Sequence, residues 1–403
     1  MLNYGKSIEV CPDCTFKTIK EAIRSAQSCD SIIVGKGVYH ENKITINKPL
    51  TVIGKEGSIV DGGGEHGVFL VVSDEVSIEG LTIRNVQADY LEEISGIRVR
   101  KASDFNISNN TFINTFFAIY LEHCENGSVT DNFMQSEAEE EASSGNAVHA
   151  WYCENLYIAG NEAYGHRDGI YFEFVDSSEI VDNYMHDNLR YGLHFMFSND
   201  DHYHQNTFEA NGAGVAVMFS KRIIMEENRF LRNRGMASYG LLLKEISDGE
   251  IRQNNFRENT VGIFVEGSNR INYLNNTLVD NGWAIKVSGG CIANNIQNNN
   301  FIGNSFDMTF AGKVSNNTIQ QNYWSAYTGY DLDRDTYGDV PYRPVKLFNY
   351  IVQQTPEAIV LLRSLFVDII NFSESVSPIF TPKDVVDPQP RMLPLHTKIY
   401  QPI

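Results

Sequence analysis

Apolar and polar residues alternate with a period of two in short runs, each opened by a glycine: GIYFE from Gly169, GLHFM from Gly192, GVAVM from Gly214, GLLLK from Gly240 and GIFVE from Gly262. Runs of this kind predict short strands with one buried face. A second phrase, asparagine–x–apolar–x–x–asparagine, keeps step with them. It reads NYMHDN at 183–188, NTFEAN at 206–211, NRFLRN at 228–233, NNFREN at 254–259, NTLVDN at 276–281, NNFIGN at 299–304 and NTIQQN at 317–322. The first asparagines lie 23, 22, 26, 22, 23 and 18 residues apart, so one unit of about 22 residues is repeated. Glycine and asparagine before each strand supply tight and left-handed turns. The unit is too short for a strand–helix–strand crossover, and the L-x-x-L-x-L-x-x-N frame of leucine-rich repeats is absent. Stacked coils of parallel strands satisfy the pattern: an all-β, right-handed parallel β-helix, with inward asparagines laddered along the stack.

The pattern changes at both ends. FKTIKEAIRSAQ at 16–27 has helical spacing and is expected to cover the open N-terminal coil, where strand edges and core need protection. This divides the chain into a cap region at 1–29, the β-helix at 30–325, an Asp-rich segment at 326–345, and a C-terminal helix and tail at 346–403. Thr355-Pro356-Glu357 is an N-cap followed by proline, which predicts one helix through about Ser373. That helix is apolar around more than one stripe, so it reads either as a cap or as a docking element, with Leu361, Leu365, Phe366, Ile369 and Phe372 for partner contact. The proline-rich tail beyond 377 is expected to be extended.

Alternation also says which strand residues face outward. Ile170, Phe172, Leu193, Phe195, Phe197, Val215, Val217 and Phe219 are expected inside, leaving two outward columns. One reads Trp151, Glu173, Met196, Met218, Lys244, Glu266; its neighbour reads His149, Tyr171, His194, Ala216, Leu242, Phe264. Met196 and Met218 are then stacked neighbours with His194 close by. Thioether and imidazole form a soft to borderline ligand set that favours copper, Cu(I) in particular. His194, Met196, Met218, His149 and Glu173 are therefore candidate copper ligands, with His202 and His204 as more remote ones. The competing reading packs the same residues beneath the acidic insertion SEAEEEASSG at 136–145, or against a partner.

Composition narrows the partners. With 32 Lys and Arg against 51 Asp and Glu, the formal charge is −19, which disfavours nucleic acid and anionic lipid. No stretch reaches the roughly 20 apolar residues that span a bilayer, and no signal peptide is visible after Met1. Of the six cysteines only Cys11 and Cys14 are close-spaced, which reads as a local structural or disulfide element, with Cys29 as a possible further member, ahead of zinc. Asp331, Asp333, Asp335 and Asp339 fall at positions 1, 3, 5 and 9 of a calcium-loop frame, but Thr336 replaces its glycine and no glutamate closes it. A carbohydrate-active enzyme acting on acidic sugars is the alternative class, by fold analogy. Asp168, Glu173, Asp200 and Asp201 are available for it with Trp151 and Tyr171, yet they suggest no catalytic pair beyond the proximity of Arg167 and Arg190.

The phrases RDGIYFEFVDSSEI, NLRYGLHFMFSNDD, NGAGVAVMFSK, SYGLLLKEI, NTVGIFVEGSNRI, NGWAIKV and NYWSAYTGYDLDRDTYGDVPYRPV closely resemble the NosD family, from roughly residue 8 to 392. The resemblance implies a pectin-lyase-like β-helix in the periplasm, without enzymatic activity, that helps to mature the copper sites of nitrous oxide reductase. It further implies an ABC-type complex with the ATPase NosF and the membrane subunit NosY, and encounters with the copper chaperone NosL and the reductase NosZ. On this chain it points to the helix at 355–373 as the NosY contact. The face with His194, Met196 and Met218 becomes the place where Cu(I) is held transiently.

Overall fold

The computed structural model describes residues 5–87, 93–311, 316–362, 364–376 and 385–395. The chain divides into two compact units, Met1–Val215 and Ala216–Ile403. In each, every coil contributes one short strand to each of three parallel sheets. In the first unit one coil runs Val148–Glu154, Tyr157–Ala159, Glu162–Tyr164, and the next runs Asp168–Asp176, Glu179–Val181, Tyr184–His186. Each strand pairs in register with its counterpart one coil on: Val148 with Ile170, Tyr157 with Glu179, Glu162 with Tyr184. The expected inward residues Ile170, Phe172, Leu193 and Phe195 are fully buried.

The asparagine phrases close the coils as read from the sequence. The Asn183 side-chain amide donates to the Ile158 and Val181 carbonyls at 2.9 and 3.0 Å and to Asn206 Oδ1 at 2.9 Å, while its own Oδ1 accepts from Asn161. Asn110, Asn132 and Asn161 continue the ladder. Each turn thereby satisfies backbone carbonyls that would otherwise be buried without partners.

One inward assignment fails in both units. Phe197 and Phe219 directly follow strands that end at Met196 and Met218; their φ is 52° and 56° and they are 38% and 37% exposed. A left-handed residue breaks the two-residue period, so the side chain after the last true strand position turns outward. Tyr152 and Phe174 are also left-handed (φ 50° and 55°), within their strands, and Phe174 stacks on Tyr152 at a centroid distance of 4.6 Å and on Phe197 at 5.1 Å.

At the N-terminus α1 spans Ile19–Ser25, capped by Thr18, and buries Ile19, Ala22 and Ile23. The strand Ser7–Val10 precedes it and pairs with Asp30–Val34. Cys11 and Cys14 form a disulfide. Cys29, considered as a further member of that element, is free and exposed.

The second unit keeps the same frame, with Leu241–Lys244, Val261–Glu266, Trp283–Ser288 and Phe306–Ala311 as successive strands of one sheet. Its asparagine ladder, Asn254–Asn276–Asn299–Asn322, is closed by a buried carboxylate: Asp387 accepts from the Gln321 and Asn322 amides and from Trp324 Nε1. The single helix expected at 355–373 is instead α2 (Leu347–Gln354), a 3-10 turn (Pro356–Leu361) and α3 (Leu365–Val376). Thr355 makes no side-chain capping bond; it is already the C-cap of α2, so it cannot start an uninterrupted helix. Val367 of α3 packs with Phe306, Phe348 and Val352. Residues 377–384 and 396–403 of the tail lie outside the described residues.

Candidate functional site

The outward column of one sheet in the first unit assembles the chemistry. In register along it stand Arg98, Tyr120, His149, Tyr171 and His194. The rings stack coil on coil: Tyr120 with His149 at 4.4 Å, His149 with Tyr171 at 4.7 Å, and Tyr171 edge-on to His194 at 5.1 Å. The next column reads Glu122, Trp151, Glu173, Met196. Parallel strands pair at about 4.8 Å, and that spacing holds aromatic rings in contact without distorting the backbone.

Beside this column is a cavity of about 370 Å³, lined by Phe117, Asn146, His149, Tyr171, His194 and Met196 and by the charged Glu93, Arg167, Asp168 and Arg190. Asp168 and His194 are 1% and 5% exposed, so the expectation that His194 faces solvent is corrected: flanking side chains roof the outward position. Arg190 Nε lies 3.3 Å from Asp168 Oδ1, and Asp168 also accepts the Tyr191 amide at 3.2 Å. An Arg190 terminal nitrogen donates to His194 Nδ1 at 2.8 Å. A nitrogen that accepts from a guanidinium carries no proton, so the neutral His194 ring holds its proton on Nε2. Among the described residues that Nε2 has no hydrogen-bond partner, nor do Arg167 Nε and Asn146 Oδ1.

His149 Nδ1 is 3.0 Å from the Asn146 amide nitrogen. Burial, with the nearby Arg167 and Arg98 cations, pushes its pKa down to about 3, so it is neutral at physiological pH. Tyr171 donates to Glu173 Oε2 at 3.3 Å; burial foremost, and then the Glu173 carboxylate, push its phenol up.

Of the predicted copper ligands, His149, His194 and Met196 share the cavity wall. Glu173 lies next to Met196 in register but is not part of that wall. Met218 is half-buried in the second unit, so its expected pairing with Met196 joins residues of the two units and stays an expectation. Ala216, expected outside, is fully buried. His202 and His204 stand on a different sheet, where His204 pairs with Glu179 at 2.9 Å, and take no part. Asp331, Asp333 and Asp335 bring carboxylate oxygens within 4.8 Å of one another, whereas Asp339 accepts the Leu332 amide. The cavity residues that sequence reasoning passed over are Glu93, Phe117 and Asn146, while Asp168, Arg167 and Arg190, weighed there only for a sugar-processing site, line the same cavity. Arg167 and Arg190 each precede a strand phrase, RDGIYFE and RYGLHFM, and that repeated placement was the available signal.

Coils of parallel strands with asparagine ladders and one polar cavity on a sheet face define a protein of the pectin-lyase-like β-helix class. The A-module of a mannuronan C-5 epimerase from Azotobacter vinelandii superposes with a TM-score of 0.62 at 13% identity, over 77% of this chain and 96% of that one. A PL6 alginate lyase gives 0.61 at 13% identity, over 80% and 86%. At such identities the likeness concerns fold alone.

Over part of its length the chain is similar to the NosD family. Residues 135–329 match the family described as periplasmic copper-binding protein (NosD). A "probable ABC transporter binding protein NosD" from Pseudomonas aeruginosa is 26% identical over 377 residues, 88% of this chain and 86% of the relative. One of the same name from Stutzerimonas stutzeri is 24% identical over 373 residues, covering 88% and 85%.

Proposed function

We propose that this chain is the periplasmic, non-enzymatic binding component of an ABC-type assembly, and that its cargo is Cu(I) destined for nitrous oxide reductase. What supports this most directly is that the segment matched to the copper-binding family, 135–329, contains His149, His194 and Met196 on one cavity wall. Met196 supplies a thioether that needs no deprotonation, suited to a soft monovalent ion. Turning the Asn146 amide by 180° would pair its Oδ1 with a proton on His149 Nδ1 and leave Nε2 as a lone-pair donor. His194 joins only when Arg190 withdraws from its Nδ1, which makes the site shallow and suited to handing a metal on.

The membrane subunit NosY, acting with the ATPase NosF, docks on the C-terminal helices. There Leu361, Leu365, Phe366, Ile369 and Phe372 are 44–73% exposed although Val367 already fills the capping role. NosL and NosZ are the donor and the acceptor of the metal.

Titration of Cu(I) against the wild type and Met196→Leu in a competing chelator tests the cargo. At least tenfold weaker binding in the variant is expected, and equal affinity rejects the site. Co-purification with the membrane subunit should be lost in Phe366→Asp/Phe372→Asp while Cu(I) affinity is kept.

A further inference from the structure

The cavity is furnished for something other than a metal when Arg190 is in place. Among the described residues, two nitrogens on its walls have neither a hydrogen-bond nor an ion-pair partner: Arg167 Nε and His194 Nε2. The His194 side chain is only 6% exposed, and its Nε2 bears the proton because Arg190 donates to Nδ1. Such an N–H, buried and idle, costs roughly 1–3 kcal/mol, a cost that a bound acceptor would relieve. On the same walls one acceptor, Asn146 Oδ1, is also without a partner.

The charge is suited to an anion. Arg190 is matched by Asp168, and Glu93 by Arg98, whereas among the described residues no carboxylate is paired with Arg167. A guanidinium without a counter-ion among the described residues stands out in a chain of formal charge −19. His149 adds no charge, being held neutral. The rings of Phe117 and Tyr171 supply flat apolar wall beside these groups.

We infer that this cavity binds a hydroxylated carboxylate about the size of one acidic sugar, its carboxylate on Arg167 and the His194 Nε2–H and a hydroxyl donated to Asn146 Oδ1. The volume, about 370 Å³, falls at the small end of ligand pockets. Guanidinium and carboxylate match in planar, two-point geometry, so the interaction distinguishes an acid from the corresponding neutral sugar. The acid and Cu(I) would occupy the cavity in turn, because the acid uses the Arg190–His194 contact and the free Asn146 Oδ1, both of which Cu(I) binding would change.

The test uses the full chain and three probes: D-galacturonate, D-galactose and acetate, followed by calorimetry and by the side-chain 15N resonances of His194. Galacturonate is expected to bind at least tenfold more tightly than either of the other two and to shift the His194 Nε2–H signal. Arg167→Gln should reduce galacturonate to the level of galactose, with Arg167→Lys intermediate, and Asn146→Leu should reduce it to the level of acetate. Thermal melts of the variants verify that they remain folded. Equal binding of galactose and galacturonate, an unaltered affinity in Arg167→Gln, or no response of the His194 resonance to any probe would overturn the proposal. Cu(I) affinity measured in the same Arg167→Gln variant should be unchanged, which separates failure here from failure of the copper site.

Discussion

The two units use one frame for different ends. In the first, the outward column of the cavity sheet reads Arg98, Tyr120, His149, Tyr171, His194. In the second, the corresponding strand positions read Leu242, Phe264, Lys286, Thr309, with Lys286 over the Phe264 ring at 5.2 Å. Both have buried aliphatic interiors, asparagine ladders and in-register parallel pairing. The outward positions of a coil are therefore free of the folding requirement, and chemistry can be placed on some coils and left off others.

If the frame is common, breaking it should hurt both units alike. Asn183→Leu and Asn259→Leu each strand several buried carbonyl and amide groups, and each is expected to cost about 4 kcal/mol in urea unfolding. A large difference between them would show that the ladders are not equivalent.

Protonation should separate the units. His166, fully buried in the first with neither ring nitrogen paired, has its pKa pushed down to about 4 by burial. Below an unfolded value near 6.5 the unfolded chain takes up the proton first, so stability is lost as pH falls from about 6.5 to 4. The loss amounts to about 3 kcal/mol, and His166→Leu should remove that share. Asp307, buried in the second unit, has the opposite sign: burial raises it to about 6. Here the folded state binds the proton first, so stability rises as pH falls from about 6 towards 3.8. Asp307→Asn should abolish that slope and leave the chain up to about 3 kcal/mol more stable at pH 7. Denaturation midpoints of both variants across pH 4–7 check the pair; slopes of the same sign would refute it.

The smallest effect is expected at the exposed aromatics. Phe197→Gly relieves a left-handed backbone, worth about 1 kcal/mol, and loses the stacking on Phe174, worth about as much. A net change within about 0.5 kcal/mol is expected from thermal unfolding.

The repeat made the coils, the ladders and the inward strand residues readable, because period-two alternation and asparagine turns are local properties. It also placed His149, Tyr171, His194 and Met196 on a shared face. What it could not give was the roof of the cavity. Arg167 and Arg190 sit just before the alternating runs, where period-two reasoning no longer gives a direction, and Asn146 follows an insertion that belongs to no repeat. Phe197 was misassigned by extending alternation one residue past the end of a strand. Asp387 meets Asn322 across a separation of 65 residues, which no local pattern encodes.

The register of the coils also bears on how such a chain can change length. A coil touches only the coils before and after it, and the cavity column of the first unit is built from consecutive ones. Adding or removing one whole repeat near Thr82–Val86 would leave the in-register pairing of the His149–Tyr171–His194 column intact. A single residue inserted inside the strand Tyr191–Met196 would exchange inside for outside there, whereas the turns absorb a residue, since the steps from His149 to Tyr171 and from Tyr171 to His194 differ by one and both stay in register. In a molecule of this kind gene length is free to vary in whole turns or within the turns themselves, as the insertion at 136–145 does, and insertions inside the strands are the ones selection should remove.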